Sequence, residues 1–419
     1  MRLLKILVLI LFTTNVYAQT KDIAVDFCNQ LSRENWTAAY NMMDSRAMAG
    51  VNSEVLRTAW NKITQQYGKW EQLGEIREMG RQGLFEQVQV TNIFERNSLV
   101  MNIVVTPERK ITGFTIAKVL SKVLLRAGEV IDTVQAIDGT VLYGTLQQPA
   151  AAAKGPVVLI IAGSGPVDRN GDVGLMEAAF QHSYMQLADG LAANGIASLR
   201  FDKRAIGESA ATKKSLTQLS LDDYVSDAAD WVRYLRNSGK YSSVIIAGHS
   251  EGSLIGMAVA ALQPYDAFIS ISGAGEPLTE VVTAQVSKLI SPESALKAKG
   301  IFAELKYGQT PATVSPELQS ILNPATYAYW RSSFHYVPCE LIGHLTMPVL
   351  IINGTKDTQV PPEQATYLHD CLPGSKLLLI KDMVHPLKDA AMIGVNQKEA
   401  LPLHVDLIPA MVAFIRQQP

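Results

Sequence analysis

Val244-Ile245-Ile246-Ala247-Gly248-His249-Ser250-Glu251-Gly252, followed by Ser253-Leu254-Ile255-Gly256-Met257-Ala258-Val259-Ala260-Ala261, is the stretch that decides the fold. The run Val244–Ala247 is apolar and mostly β-branched, as in a buried strand. Residues 253–261 carry small residues at packing positions, as a buried helix does. Between them lies G-x-S-x-G, the strand–turn–helix pattern that presents a serine at a strand end. A turn so tight forces the serine into an unfavourable backbone region, and the glycines let neighbouring chain pass close by.

The groups that would activate such a serine lie further along. A serine hydroxyl needs a base to take its proton, and a histidine base needs a carboxylate to hold its tautomer. Pro348-Val349-Leu350-Ile351-Ile352-Asn353-Gly354-Thr355-Lys356-Asp357 reads as a strand ending in an aspartate. Leu377-Leu378-Leu379-Ile380-Lys381-Asp382-Met383-Val384-His385 reads as a strand ending in a histidine. The order Ser250, Asp357, His385 places all three at strand C-termini, where open α/β sheets gather their sites. Asp382 is a rival carboxylate, too close to His385 along one segment to reach its ring easily. His249 reads as a packing residue of the turn.

A tetrahedral intermediate needs two backbone donors. Glu251, opening the helix after the serine, supplies one through its N–H. The other is expected from Ser164 in Ala162-Gly163-Ser164-Gly165-Pro166, the loop after the strand Val157–Ile161.

Around this core, apolar strand runs at 157–162, 196–201, 244–247, 267–272, 348–352 and 376–380 alternate with helical stretches at 176–194, 219–237, 252–262, 362–370 and 404–416. Such alternation implies right-handed crossovers, a mainly parallel sheet and helices on both faces. Ahead of it, Asp138-Gly139 joins two strands into a hairpin. Residues 276–345, with Pro292, Pro311, Pro316 and Pro324, read as a helical insertion. Residues 19–128 have a different texture: helical spacing over 22–44 and 51–67, then strand-like segments near 69–79, 84–95, 98–106 and 109–117. This is a small α+β domain with no catalytic cluster, suited to packing, substrate presentation or formation of a homodimer.

The chain has 419 residues, 47% of them hydrophobic and 18% charged, with a formal charge of −2 and no basic run. That composition argues against nucleic acid as a partner. Met1-Arg2-Leu3-Leu4-Lys5, the apolar run 6–12 and Val16-Tyr17-Ala18 read as a secretory signal over 1–18, cleaved to leave no stable membrane anchor, so the protein is expected in the periplasm or outside the cell. Of three cysteines, Cys28, Cys339 and Cys371, the last two flank one strand region and could pair. No Cys/His spacing resembles a zinc site, and no cofactor or metal is called for.

The residues quoted resemble the α/β-hydrolase superfamily over 129–419. Ala162-Gly163-Ser164-Gly165-Pro166-Val167-Asp168-Arg169-Asn170-Gly171 looks like the oxyanion loop of bacterial esterases of this kind. Arg200-Phe201-Asp202-Lys203-Arg204-Ala205-Ile206-Gly207-Glu208-Ser209 looks like their second signature, in which a glycine usually stands where Ala205 is. The resemblance implies that 276–345 is a cap over the site. The leading domain resembles small domains of unknown function ahead of exported bacterial hydrolases, similar to nuclear-transport-factor-like or cystatin-like folds.

Together these imply a serine hydrolase, foremost a carboxylesterase acting on a small or medium acyl ester. The cap aromatics Trp330 and Tyr336 are candidates to line an acyl pocket. The same triad would serve a peptidase or amidase, with Glu251 or Glu276 anchoring a substrate amine. A thioesterase and a non-catalytic binding module on the same scaffold are further alternatives.

Overall fold

The computed structural model describes residues 20–418 apart from 122–124, 151–153, 174–176, 289, 312–313, 315–317, 319–321 and 395–398. Residues 1–18, expected to be a signal segment, lie outside the described residues. The chain divides into two units at Leu124/Leu125.

In the first unit, helices come before strands. A helix over 20–32 (α1) buries Ala24, Phe27, Cys28 and Leu31, one side at helical spacing. Glu34 adopts φ 59°, which stops the helix, so the 22–44 pattern is broken into α1 and α2 (Trp36–Asn41), and a short α3 (Ser45–Met48) follows it. Next comes α4 (Ser53–Tyr67), which opens on Asn52, whose side chain accepts from the Val55 amide at 2.9 Å, and buries Leu56, Trp60, Ile63 and Tyr67. The strands β1 (Trp70–Gln82), β2 (Phe85–Phe94), β3 (Asn97–Val105) and β4 (Ile111–Ser121) form an antiparallel meander in that order. Alternate residues of β2 and β3, such as Val88, Val90, Met101 and Ile103, are buried in one core with Phe27 and Trp60.

In the second unit, the hairpin β5 (Glu129–Gln135) and β6 (Val141–Gln147) leads into β7 (Val157–Ile161), β8 (Ala197–Phe201), β9 (Val244–His249), β10 (Ala267–Ile271), β11 (Val349–Gly354) and β12 (Lys376–Ile380). The sheet order is β12-β11-β10-β9-β7-β8-β6-β5. Every neighbouring pair from β12 to β8 is parallel, and β6 pairs antiparallel with β8 and β5. Residues β7 to β11 are buried along their length because helices cover both faces. One face packs on α6 (Leu221–Asn237), α7 (Glu251–Val259) and α12 (Glu363–Cys371), with Trp231 the largest buried side chain. The other packs on α5 (Ser183–Ala193) and α13 (Leu407–Ile415) through Leu187, Leu191, Met411 and Ile415.

From β7 the chain crosses to β8 on one side; from β9 it crosses to β10 on the other. The crevice between the carboxyl ends of β7 and β9 is therefore the switch point of the sheet, where open α/β sheets bind ligands. The insertion between β10 and β11 holds α8 (Leu278–Ser287), α9 (Pro292–Lys306), α10 (Tyr327–Ser333) and α11 (Pro338–Gly343). It has its own core around Val282, Phe302, Leu305 and Phe334. A Cys339–Cys371 disulfide, with Cα atoms 5.4 Å apart, ties α11 to α12, and Cys28 is buried and free.

Candidate active site

Ser250 stands at the end of β9 with φ 54° and ψ −118°, outside the regions a side chain normally occupies. Such a conformation costs on the order of 1–3 kcal/mol and persists only when its surroundings enforce it. Here they do. A Cβ on Gly248 would sit 2.2 Å from the Gly252 carbonyl oxygen, and one on Gly252 would sit 2.2 Å from that of Ile161. Both flanking positions thus admit only glycine. The Ser250 amide is held by the Ile271 carbonyl at 2.9 Å.

Asp357 follows β11 and is 3% exposed. Its Oδ1 accepts from the amides of Gln359 (3.0 Å) and Val360 (2.9 Å), and its Oδ2 accepts from His385 Nδ1 at 2.8 Å. Burial pushes its carboxyl upward, but the His385 hydrogen bond and charge, the Val360 amide and the Ser272 hydroxyl outweigh it and hold it below its ordinary value. With Nδ1 committed, the Nε2 of His385 is the nitrogen left to exchange a proton. Asp382 does not compete. It sits at φ 60° in the turn after β12, where its amide donates to Thr355 Oγ1 at 2.9 Å.

Ser250, His385 and Ser164 line one cavity of about 490 Å³. Its apolar wall is built by Val167, Val173, Phe180, Tyr184 and Ile393, and Lys356 and Gln359 add polar groups. A Cβ on Gly163 would approach the Ser250 Cβ to 3.2 Å, so the loop after β7 runs directly beside the serine. The Gly163 amide is taken by the Tyr184 hydroxyl at 2.9 Å, and Ser164, the next residue of that loop, lines the cavity. Glu251 is the first residue of α7, and its N–H is among those a helix leaves without an internal acceptor.

Two expectations need correction. Trp330 and Tyr336 are not among the residues lining the cavity. Trp330 stacks on Phe334 (ring centres 5.5 Å) and packs against Phe302 (5.6 Å) in the core of the insertion. Tyr336 is half-buried against the main core and donates to Asp222 at 2.5 Å. The insertion's aromatics are spent on its own small core and on its contact with the main one, and the cavity wall comes instead from the segments after β7 and His385. His249 is also more than packing. Its Nδ1 meets the Tyr184 hydroxyl at 2.8 Å and its Nε2 meets the His385 carbonyl oxygen at 2.9 Å. Burial, then the nearby charge of His385, drops its pKa to about 3.

The second signature proves to be a run of buried, paired charges. Arg200 pairs with Glu129 (2.6 Å), Asp202 with Arg169 (2.6 Å), and Arg204 with Asp138 (2.8 Å) and Asp227. Lys203 reaches Gly163 and Glu251. Nothing in the local pattern of 200–204 announced these partners, because each lies on a different element.

A mainly parallel eight-stranded sheet carrying a serine elbow after its central strand is the α/β-hydrolase fold. Residues 175–312, a span that includes Ser250 and ends before Asp357 and His385, match the family described as serine aminopeptidase, S33. Residues 24–114 match a family described as a protein of unknown function, DUF3887. The chain is 27% identical over 371 residues to the esterase EstD of Thermotoga maritima, covering 86% of each chain. Among solved structures it is similar to Est1E from Butyrivibrio proteoclasticus, at 17% identity and a TM-score of 0.45, over 70% of this chain and 98% of that one. It is likewise similar to the esterase EaEST from Exiguobacterium antarcticum, at 17% identity and a TM-score of 0.42, over 68% and 98%.

Proposed function

We propose that this protein hydrolyses carboxylic esters of small or medium acyl chains through Ser250, His385 and Asp357. The observation that carries the reading is the 2.8 Å Asp357–His385 pair, facing the same cavity as a serine held at φ 54°. Ser250 Oγ attacks the ester carbonyl while His385 Nε2 takes its proton. The Ser164 and Glu251 amides stabilise the oxyanion, and His385 returns the proton to the departing alcohol. Water, activated by the same imidazole, then releases the acid and frees the serine. Asp357 orients His385 and stabilises its cation.

An ester fits the cavity better than a substrate carrying an amine. The Glu251 carboxylate is committed to Lys203 and Tyr329, and Glu276 to Gln364. Neither is among the cavity-lining residues, whose one lysine, Lys356, would repel an ammonium. The likeness to a relative named as an esterase supports the same choice. We place the reaction outside the cytoplasm, on the strength of the signal-like residues 1–18 and of the disulfide, which oxidising compartments favour.

The test is turnover of p-nitrophenyl acetate, butyrate and octanoate beside a panel of aminoacyl p-nitroanilides. Ester turnover at least tenfold above anilide turnover is expected. The reverse preference would replace the ester reading with a peptidase one.

A further inference from the structure

The mechanism uses the Ser164 amide but does not say what aims it. Lys203, in the turn after β8, has a side chain only 4% exposed. Its Nζ donates to the Gly163 carbonyl oxygen at 2.5 Å and lies 3.4 Å from Glu251 Oε2. It also sits 5.4 Å from the centre of the Tyr224 ring. The Glu251 side chain is 8% exposed, and its other oxygen accepts from the Tyr329 hydroxyl of α10.

In a trans peptide the C=O of one residue and the N–H of the next point in opposite directions. Pinning the Gly163 carbonyl on the Lys203 side therefore turns the Ser164 N–H to the other side, that of Ser250 and the cavity. The preceding amide is fixed as well, by Tyr184 at 2.9 Å, so the loop is held at two successive peptides. The cation beside the Gly163 oxygen also polarises that peptide and makes the Ser164 N–H a stronger donor. Glu251 is the carboxylate paired with Lys203 in its buried place, and the Glu251 backbone is itself the second proposed donor.

We infer that Lys203 is a positioning residue for the oxyanion hole, acting through the Gly163–Ser164 peptide; this rests on the serine-hydrolase reading above. Its contribution is felt by the tetrahedral intermediate and not by the bound ester. Loss of Lys203 therefore lowers kcat and leaves KM nearly unchanged.

The test compares Lys203→Met, Lys203→Met/Glu251→Gln and Ser250→Ala with the full-length parent on p-nitrophenyl butyrate. A trifluoromethyl ketone, which forms a tetrahedral adduct, is titrated in parallel. Loss of one oxyanion donor typically costs on the order of 10²-fold in kcat, and both Lys203 variants should lose about that much. Their ketone affinity should fall in step, with KM within about threefold of the parent.

The double variant buries no unpaired charge and retains the residue-251 amide. It carries the test if the single variant fails to fold. Recovery of parental kcat in the double variant would reduce Lys203 to a charge partner of Glu251 and overturn the inference. So would a loss confined to KM. If Ser250→Ala keeps its turnover, the serine reading itself falls, a result separable from either Lys203 outcome.

Discussion

The imidazole of His249 donates its Nε2–H to the backbone carbonyl of His385 at 2.9 Å. A carbonyl can only accept, so the neutral ring carries its proton on Nε2, and its Nδ1 accepts from the Tyr184 hydroxyl at 2.8 Å. The Tyr184 oxygen in turn accepts from the Gly163 amide at 2.9 Å. One chain of hydrogen bonds thus joins the loop beside Ser250 to the backbone of the proposed base.

That chain requires His249 to stay neutral, which sets a pH dependence. Burial and the charge of His385 lower its pKa from 6.5 to about 3. Between these values the unfolded chain binds a proton that the folded one refuses, so stability falls as pH drops from 6.5 toward 3. His249→Gln can accept from Tyr184 and donate to His385 without titrating. Urea unfolding of the variant should show a shallower loss of stability over that window than the parent. Identical slopes would mean that His249 is not held neutral in the fold.

Asp357 and Asp382 make opposite predictions. Asp357→Asn breaks the acceptor that fixes the His385 tautomer and should lower kcat by about 10⁴-fold. Asp382→Asn should leave kcat within about twofold, since its carboxylate has no part in the Asp357–His385 pair. Steady-state kinetics on one ester decides between them.

Chain-length preference should follow the cavity wall rather than the insertion's aromatics. Phe180→Ala removes a ring from the wall and should shift the kcat/KM optimum toward longer acyl chains. Trp330→Ala should leave the optimum in place and instead destabilise the protein by about 3 kcal/mol, the scale of an aromatic-to-alanine truncation in a packed core. Ester series and thermal melts on both variants separate the two effects.

Ala205 sits at φ 69°, where related signatures carry glycine. Left-handed backbone costs a Cβ-bearing residue about 1–2 kcal/mol, while glycine adds about 0.4–1 kcal/mol of unfolded-chain entropy. Ala205→Gly should therefore stabilise the protein by about 0.5 kcal/mol or slightly more, read as a higher urea midpoint at constant slope.

Much of this was legible because it is local. The six apolar strand runs from 157 to 380 become β7 to β12, and β7 to β11 read as continuous hydrophobics because they are buried on both faces. The elbow was legible because the two glycines at fixed spacing around the serine are each required by close backbone contacts, the 2.2 Å approaches at Gly248 and Gly252. What stayed hidden depends on tertiary pairing. Tyr184 and His249 are joined across α5 and β9, and Lys203 finds Glu251 from a different strand end. Spacing carries no record of such partners. The cap aromatics misled for a related reason: Trp330 and Phe334 went to the insertion's own core and Tyr336 to the main one, while Phe180 and Ile393, far apart in sequence, came to the cavity.

The most direct test of the central claim is the site of covalent labelling by a fluorophosphonate, read by intact mass and peptide mapping beside ester turnover. One adduct is expected, on Ser250, with turnover lost in proportion to labelling and both absent in Ser250→Ala. An adduct on another residue, or ester turnover surviving in Ser250→Ala, would contradict it.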